Sequence, residues 1–202
     1  MTTCDKIIVV AVTGASGSLY GVRLIAALLR QDVRVMAILS HAAEQVLSHE
    51  MGYDPGMGFH DFLTAYGLDP EIRKKLTVFS QDEIAAAPAS GSFCHHGMVV
   101  APCSMKTLAA AAAGYADNLI TRACDVTLKE KRCLILVPRE TPLSLIHLEN
   151  MARLARAGAV ILPAVPSFYS FPGTIDDLVD TVVARIMDQL GVEHSLLARW
   201  GA

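Results

Sequence analysis

The amino-acid sequence predicts an α/β fold, an open and mostly parallel sheet wound with helices on both faces. Three observations carry that prediction. Apolar runs of strand length alternate with longer amphipathic stretches of helix length. The runs are rich in Ile and Val and apolar on both faces, as strands inside a parallel sheet are. Three of them end abruptly in loops of small, hydroxyl-bearing or cationic residues. These are Ile7 to Val12 into Thr13-Gly14-Ala15-Ser16-Gly17-Ser18, Met98 to Ala101 into Pro102-Cys103-Ser104-Met105-Lys106-Thr107, and Cys133 to Val137 into Pro138-Arg139-Glu140-Thr141-Pro142. Parallel sheets bind ligands at the carboxyl ends of their strands, and helix N-termini there present free N–H groups and a positive dipole end to phosphate. The expectation is that the three loops converge on one phosphorylated ligand or on two.

Each element has its own signal. Residues 6–13 form the first strand. Leu19, Val22, Leu24, Ile25, Leu28 and Leu29 make the apolar stripe of the helix behind it. Residues 33–39 are the second strand, and Ser40 stands where an N-cap is wanted for a helix over 41–49. Three glycines and a proline in 51–58 mark a loop, followed by a short helix near 59–66 and a third strand at 76–79. Residues 85–97, small and flexible, read as a loop over a site. Strands at 98–101, 133–138 and 159–162 and helices at 104–113, 117–131, 144–157 and 174–190 complete the alternation. No repeat or linker interrupts it, so the prediction is one domain over residues 1–202, doubly wound in the Rossmann or flavodoxin manner.

Composition bounds the function. Hydrophobic residues are 52% of the chain, which excludes disorder. Only 18% are charged, so much of the surface is expected against other subunits. A net charge of −3 leaves no basic footprint for nucleic acid. No apolar stretch is long enough to span a bilayer, and the first residues lack a signal-peptide pattern. Five cysteines at irregular spacings, with no CxxC, indicate neither a disulfide framework nor zinc, and a reducing cytoplasm is the expected setting.

The first loop has glycines at 14 and 17, so GxGxxG is absent, and Asp32 precedes the second strand instead of ending it. A dinucleotide site is disfavoured and a mononucleotide such as FMN fits better. A tight strand-to-helix turn would also account for Gly14 to Gly17. Ser104 and Thr107 suit phosphate contact or simple capping. Lys106 adds a charge there or is only solvated, and Cys103 is a nucleophile or a small buried apolar group. Arg122 and Lys129, seven apart, share a helix face. Arg139 follows a strand end and so faces a site. Glu140 beside it is an acid/base candidate or a charge complementing a helix dipole. The histidines form no ligand set and no GxSxG elbow occurs, so a catalytic metal and a serine hydrolase are not expected.

Taken together, the ordered motifs resemble the flavin prenyltransferases of the UbiX type, within a wider group of homo-oligomeric flavin proteins that includes flavin-dependent cysteine decarboxylases. The carriers are Thr13 to Gly17 with Tyr20-Gly21, Pro88-Ala89-Ser90-Gly91-Ser92, Pro102 to Leu108, Asp117 to Ala123, and Leu128-Lys129-Glu130. Val137 to Pro142, His147 to Met151, Pro166-Ser167-Phe168-Tyr169 and Ala198-Arg199-Trp200 complete the set. The resemblance implies joining of a dimethylallyl group, from dimethylallyl monophosphate or diphosphate, to N5 and C6 of reduced FMN without a metal. The prenylated FMN would serve a UbiD-type decarboxylase, in ubiquinone biosynthesis or on aromatic acids. Family members form dodecamers.

By the same resemblance Gly14, Ala15, Ser16, Gly17, Ser40, Ser104, Met105, Lys106, Thr107 and Arg139 match FMN-binding positions. Lys129, Arg139, Tyr169 and Arg185 match phosphate-binding positions, with Arg122 and Ser90 added. Ionising an allylic phosphate makes an anion, which fixed cations must hold, and a carbocation, which needs a dry π-face. Trp200 from a neighbouring subunit, the flavin itself and the loop at 88–92 are the expected enclosure. Glu140 is the candidate acid/base and Ser16 the hydrogen-bonding partner near N5. The cysteine decarboxylases carry Pro-Ala-Ser-Ala-Asn-Thr and Met-Asn motifs. Here Pro88-Ala89-Ser90 continues as Gly91-Ser92 and no Met-Asn pair occurs, which weakens that alternative. A non-enzymatic FMN carrier would need the flavin loops without the phosphate cations.

Overall fold

The computed structural model describes residues 6–197. Six parallel strands form one sheet: β1 (Ile7–Val12), β2 (Arg34–Leu39), β3 (Leu76–Ser80), β4 (Gly97–Cys103), β5 (Cys133–Pro138) and β6 (Val160–Ile161). Their spatial order is β3-β2-β1-β4-β5-β6. The chain moves outward from β1 through β2 to β3, returns to the other side of β1, and moves outward again. The reversal between β1 and β4 is the switch point where a doubly wound sheet opens a crevice at its carboxyl edge. The central strands are fully buried, with Ile8 to Val12 and Met98 to Ala101 at 0% exposure.

Alternate residues of each strand feed two cores. Ile8, Val10 and Val12 pack under α1 (Ser18–Arg30), α2 (His41–Met51), α3 (Phe59–Ala65) and α7 (Ile175–Gln189). Val9 and Ala11 pack on the other face under α4 (Met105–Ala113), α5 (Leu119–Lys129) and α6 (Leu145–Arg156). The helices begin where hydroxyl or amide side chains cap them. Ser40 accepts from the Ala43 N–H, Ser104 from Thr107, Asn118 from Thr121, Ser144 from His147 and Thr174 from Asp177.

Two strands differ from their sequence reading. β4 runs through Pro102 to Cys103, two residues beyond the expected end. A proline is tolerated in this central strand because the register against β5 shifts between Val100 and Cys103, so no ladder N–H is missing there. β6 is shorter than 159–162, with Pro163 ending it at the sheet edge. The segment 85–97 also behaves differently from a loop over a carboxyl-edge site. After a 3-10 turn at Ala87–Ala89 it runs down the flank of α5 to the amino end of the sheet, where the His96 N–H donates to the Ile7 carbonyl. Arg122 donates to the Ala89 carbonyl, and Arg132 donates to the carbonyls of Gly91 and Phe93.

Candidate active site

Four loops meet at the carboxyl ends of β1, β2, β4 and β5, and hydrogen bonds knit them together. Thr13, 1% exposed, donates from its hydroxyl to the Pro102 carbonyl at 2.8 Å and accepts from the Ser104 N–H at 2.8 Å. The Ser40 N–H donates to the Val12 carbonyl at 3.1 Å. Arg139 donates from Nε to the Ser16 carbonyl at 2.9 Å, which locks the β5 loop to the β1 loop. The expected flavin-loop residues 14–17, 40, 104–107 and 139 are thus brought to one crevice.

The small residues in that crevice have steric work. A Cβ on Gly14 would meet Ala42 inside contact distance, so the loop lies flat on the first turn of α2. Gly17 has φ +96°, a left-handed conformation that glycine adopts without strain, and it turns the chain into α1. The hydroxyls are suited to an acceptor-rich ligand. Ser40 uses its oxygen to cap α2, leaving its hydrogen to donate. Ser104 accepts from the Thr107 N–H and donates to the Thr107 hydroxyl at 3.1 Å, which leaves the Thr107 hydrogen at the end of the chain. Lys106 stands exposed in the first turn of α4, 3.5 Å from Asp117. These donors, one anchored guanidinium and a close backbone turn fit a phosphorylated mononucleotide such as FMN.

The first loop departs from expectation in one respect. The Gly17 and Ser18 N–H groups at the N-terminus of α1 are not free, because the Glu50 carboxylate takes them. It accepts from Gly17 N at 3.0 Å, from Ser18 N at 2.9 Å and from the Ser18 hydroxyl at 2.6 Å. Burial pushes the Glu50 carboxyl up, but the Ser16 and Ser18 hydroxyls and the two backbone N–H groups outweigh it and leave the carboxyl below its ordinary value. Sequence reasoning missed Glu50. The one signal was its place in the last turn of α2, where the helix dipole disfavours a carboxylate and another partner is implied.

Glu140 is exposed and accepts the Thr141 N–H at 2.9 Å. It lies ahead of the Ser144 cap of α6, which removes the reading of Glu140 as that helix's dipole partner. A cleft of about 330 Å³ opens beside Arg139 and Glu140, walled by Leu143, Met151, Pro163 and Val165. Cys103 is fully buried and its thiol is pushed well above its ordinary value, so it packs as a small apolar group. Burial raises Cys124 likewise, to about 12. Among the described residues no cluster of His, Cys, Asp and Glu is placed to hold a metal.

The other expected site residues are not in this crevice. Lys129 ends α5 on the amino side of Cys133, whereas Arg139 follows Pro138 at the far end of the same strand. At ~3.3 Å per residue, β5 alone separates them by roughly 17 Å. Lys129 pairs with Glu130 beside Gly91. Arg122 pairs with Asp125 at 2.8 Å, and Ser90 bonds Ser92 at 2.9 Å on the same flank. Arg185 lies near the C-terminal end of α7 in a groove of about 540 Å³ between that helix and β6. Tyr169 is 81% exposed in the loop between them. Within one chain, therefore, the cations expected at the phosphate do not converge on Arg139. Arg199 and Trp200 lie outside the described residues.

The sequence matches the family model described as Flavoprotein over residues 2–187. It is 48% identical to the flavin prenyltransferase UbiX of Alkalihalophilus pseudofirmus, over 98% of this chain and 97% of that one. Among solved structures it superposes on AnUbiX in complex with FMN and dimethylallyl pyrophosphate, with a TM-score of 0.87, 42% identity, and 98% and 99% of the two chains covered. It also superposes on a dodecameric FMN-dependent Ubix-like decarboxylase from Escherichia coli O157:H7, with a TM-score of 0.85, 42% identity, and 97% and 100% coverage.

Proposed function

This chain belongs to the flavin prenyltransferases of the UbiX type, and from that premise we propose how its residues divide the reaction. The enzyme transfers a dimethylallyl group from dimethylallyl phosphate to FMN. When bound in the reduced state, the flavin supplies the nucleophilic N5 and then C6. The observation that carries the assignment of roles is the Arg139 bridge, which sets one cation at the meeting point of the flavin loops and the Glu140 cleft.

Thr107 and Ser40 donate hydroxyl hydrogens, and Lys106 a charge, to the flavin's phosphate and polar edge, while Ser104 orients the Thr107 hydroxyl. Gly14, Ala15 and Gly17 let the backbone come close, and Met105 covers an apolar edge. Arg139 faces both ligands. Since Glu50 fills the α1 terminus, the phosphate charge falls to side-chain cations and to the α4 end of the crevice. Ser16, tied to Glu50, holds a hydrogen bond near N5. Glu140 moves the proton released when the second bond closes.

Lys129, Arg122, Tyr169, Arg185 and Ser90 hold the prenyl phosphate from neighbouring copies, and Trp200 walls the site against water. Two facts support a shared site. Lys129 and Arg139 lie at opposite ends of β5, and a relative 42% identical is dodecameric. Exposed Leu145, Ile146, Phe168, Phe171 and Ile175 give such an assembly apolar surface to bury. The prenylated product passes to a UbiD-type decarboxylase. Four free thiols among the described residues and the family reading support a cytoplasmic setting, and no described helix is long and apolar enough to cross a membrane.

The deciding experiment is mass spectrometry of the flavin after anaerobic incubation with reduced FMN and dimethylallyl monophosphate. A gain of one C5 unit is expected. Bound but unmodified FMN with both the monophosphate and the diphosphate overturns the assignment.

A further inference from the structure

Arg185 does not stand alone at its groove. Its Nη1 donates to one oxygen of Asp188 at 3.0 Å, and the other oxygen lies 3.2 Å from Nε2 of His194. The three differ sharply in exposure. The side chains of Arg185, Asp188 and His194 are 65%, 27% and 6% accessible, so the relay runs from the groove inward to a buried ring. A carboxylate only accepts, so the His194 Nε2 carries the hydrogen. The other ring nitrogen, Nδ1, is buried without a hydrogen-bond partner. Such an orphaned polar atom is costly, and it persists where the rest of the ring has a job.

An Arg–Asp pair three residues apart on a helix is ordinarily a weak surface contact. This one differs because the carboxylate is not free to swing. Both oxygens are engaged by donors from different directions, and the inner donor is itself packed. The guanidinium is thereby held by one terminal nitrogen, which leaves its remaining N–H groups toward the groove that Ser167, Thr181 and Gln189 also line. A planar fork held at one tine is preorganised for a tetrahedral anion.

We propose that Asp188 and His194 are positioning residues that hold the Arg185 guanidinium in its phosphate-binding orientation. The proposal rests on the reading of Arg185 as a prenyl-phosphate group. His194 donates to Asp188, Asp188 accepts from Arg185, and neither His194 nor Asp188 touches substrate.

The test is steady-state kinetics with reduced FMN and dimethylallyl monophosphate on the assembled protein, with FMN affinity measured alongside. Asp188→Asn is near in shape, but its one remaining oxygen can serve only one of the two donors. It should raise KM for the prenyl phosphate by about fivefold or more and leave FMN affinity unchanged. In an Arg185→Ala background the same substitution should add nothing. His194→Ala should also raise KM, whereas His194→Gln, which keeps a donor near the Nε2 position, should restore it. If Asp188→Asn fails to assemble, the His194→Ala and His194→Gln pair makes the same comparison. A wild-type KM in Asp188→Asn, an equal effect with and without Arg185, or lowered melting points with KM unmoved overturns the positioning role. An unmoved KM in Arg185→Ala itself overturns the phosphate reading of that arginine and the proposal with it.

Discussion

Glu50 and Glu140 show how differently two carboxylates can be placed at one edge of a sheet. Glu50 is held by the backbone of Gly17 and Ser18, and those bonds keep its folded-state pKa below the ordinary 4.5. Its contribution to stability is therefore present above 4.5 and lost as the pH falls through the lower, folded value. Glu50→Gln should flatten the acid limb of a plot of Tm against pH between 7 and 3. Parallel limbs for the two proteins would remove the interaction. Glu140 faces a cleft and spends one oxygen on its neighbour's N–H. Glu140→Gln should slow prenyl transfer by about 10²- to 10⁴-fold, the usual span for a lost general acid or base, with FMN still bound. Retained turnover would take the proton-transfer role away from Glu140. Neither arrangement was legible to the same degree. Arg139-Glu140 sat visibly at a strand end, whereas Glu50 reaches its partners only through the packing of α2 on the first loop.

At the scale of elements, the helix starts were the most readable feature, because an N-cap is a local matter between a side chain and the N–H three residues on. Ser40 and Ser104 could be read from position alone. The close contact of α1 with β4 could not. A Cβ on Gly21 would strike the Ala101 carbonyl, and nothing in the helix's own pattern says so. Gly21→Ala should destabilise the protein by about 1–3 kcal/mol, read as a lower midpoint in urea unfolding, despite alanine's better helix propensity. A more stable Gly21→Ala variant would mean that α1 can move off the sheet. The path of the 85–97 segment was not legible because glycine and serine report a lack of regular structure but not a direction. Arg122 and Arg132 supply the direction by binding its carbonyls along the α5 flank.

For the whole molecule, the separation of Lys129 from Arg139 makes a strong demand. If one reaction needs both, copies must share sites. Lys129→Ala and Arg139→Ala should each be inactive alone. Dissociated, mixed in equal amounts and reassembled, they should recover about a quarter of wild-type activity, since random pairing restores that share of two-copy sites. No recovery in mixed assemblies shown to contain both variants would place the two cations in different steps or different sites. The exposed apolar side chains at Phe168, Phe171 and Ile175 agree with such sharing, and the low charged fraction already pointed to it.

Periodicity and strand-end chemistry determined, from sequence alone, a doubly wound parallel sheet, nearly every element, and the loops at its carboxyl edge. Those are properties of residues near one another in the chain, where apolar spacing, glycine and capping hydroxyls act directly. Tertiary structure alone decided that Glu50 closes the α1 terminus, that Arg139 bridges to Ser16, that Asp188 and His194 back Arg185, and that the cations expected at the phosphate lie apart. Each of these joins residues from separate segments. Such contacts are set by how helices pack across a twisted sheet, which no local pattern records.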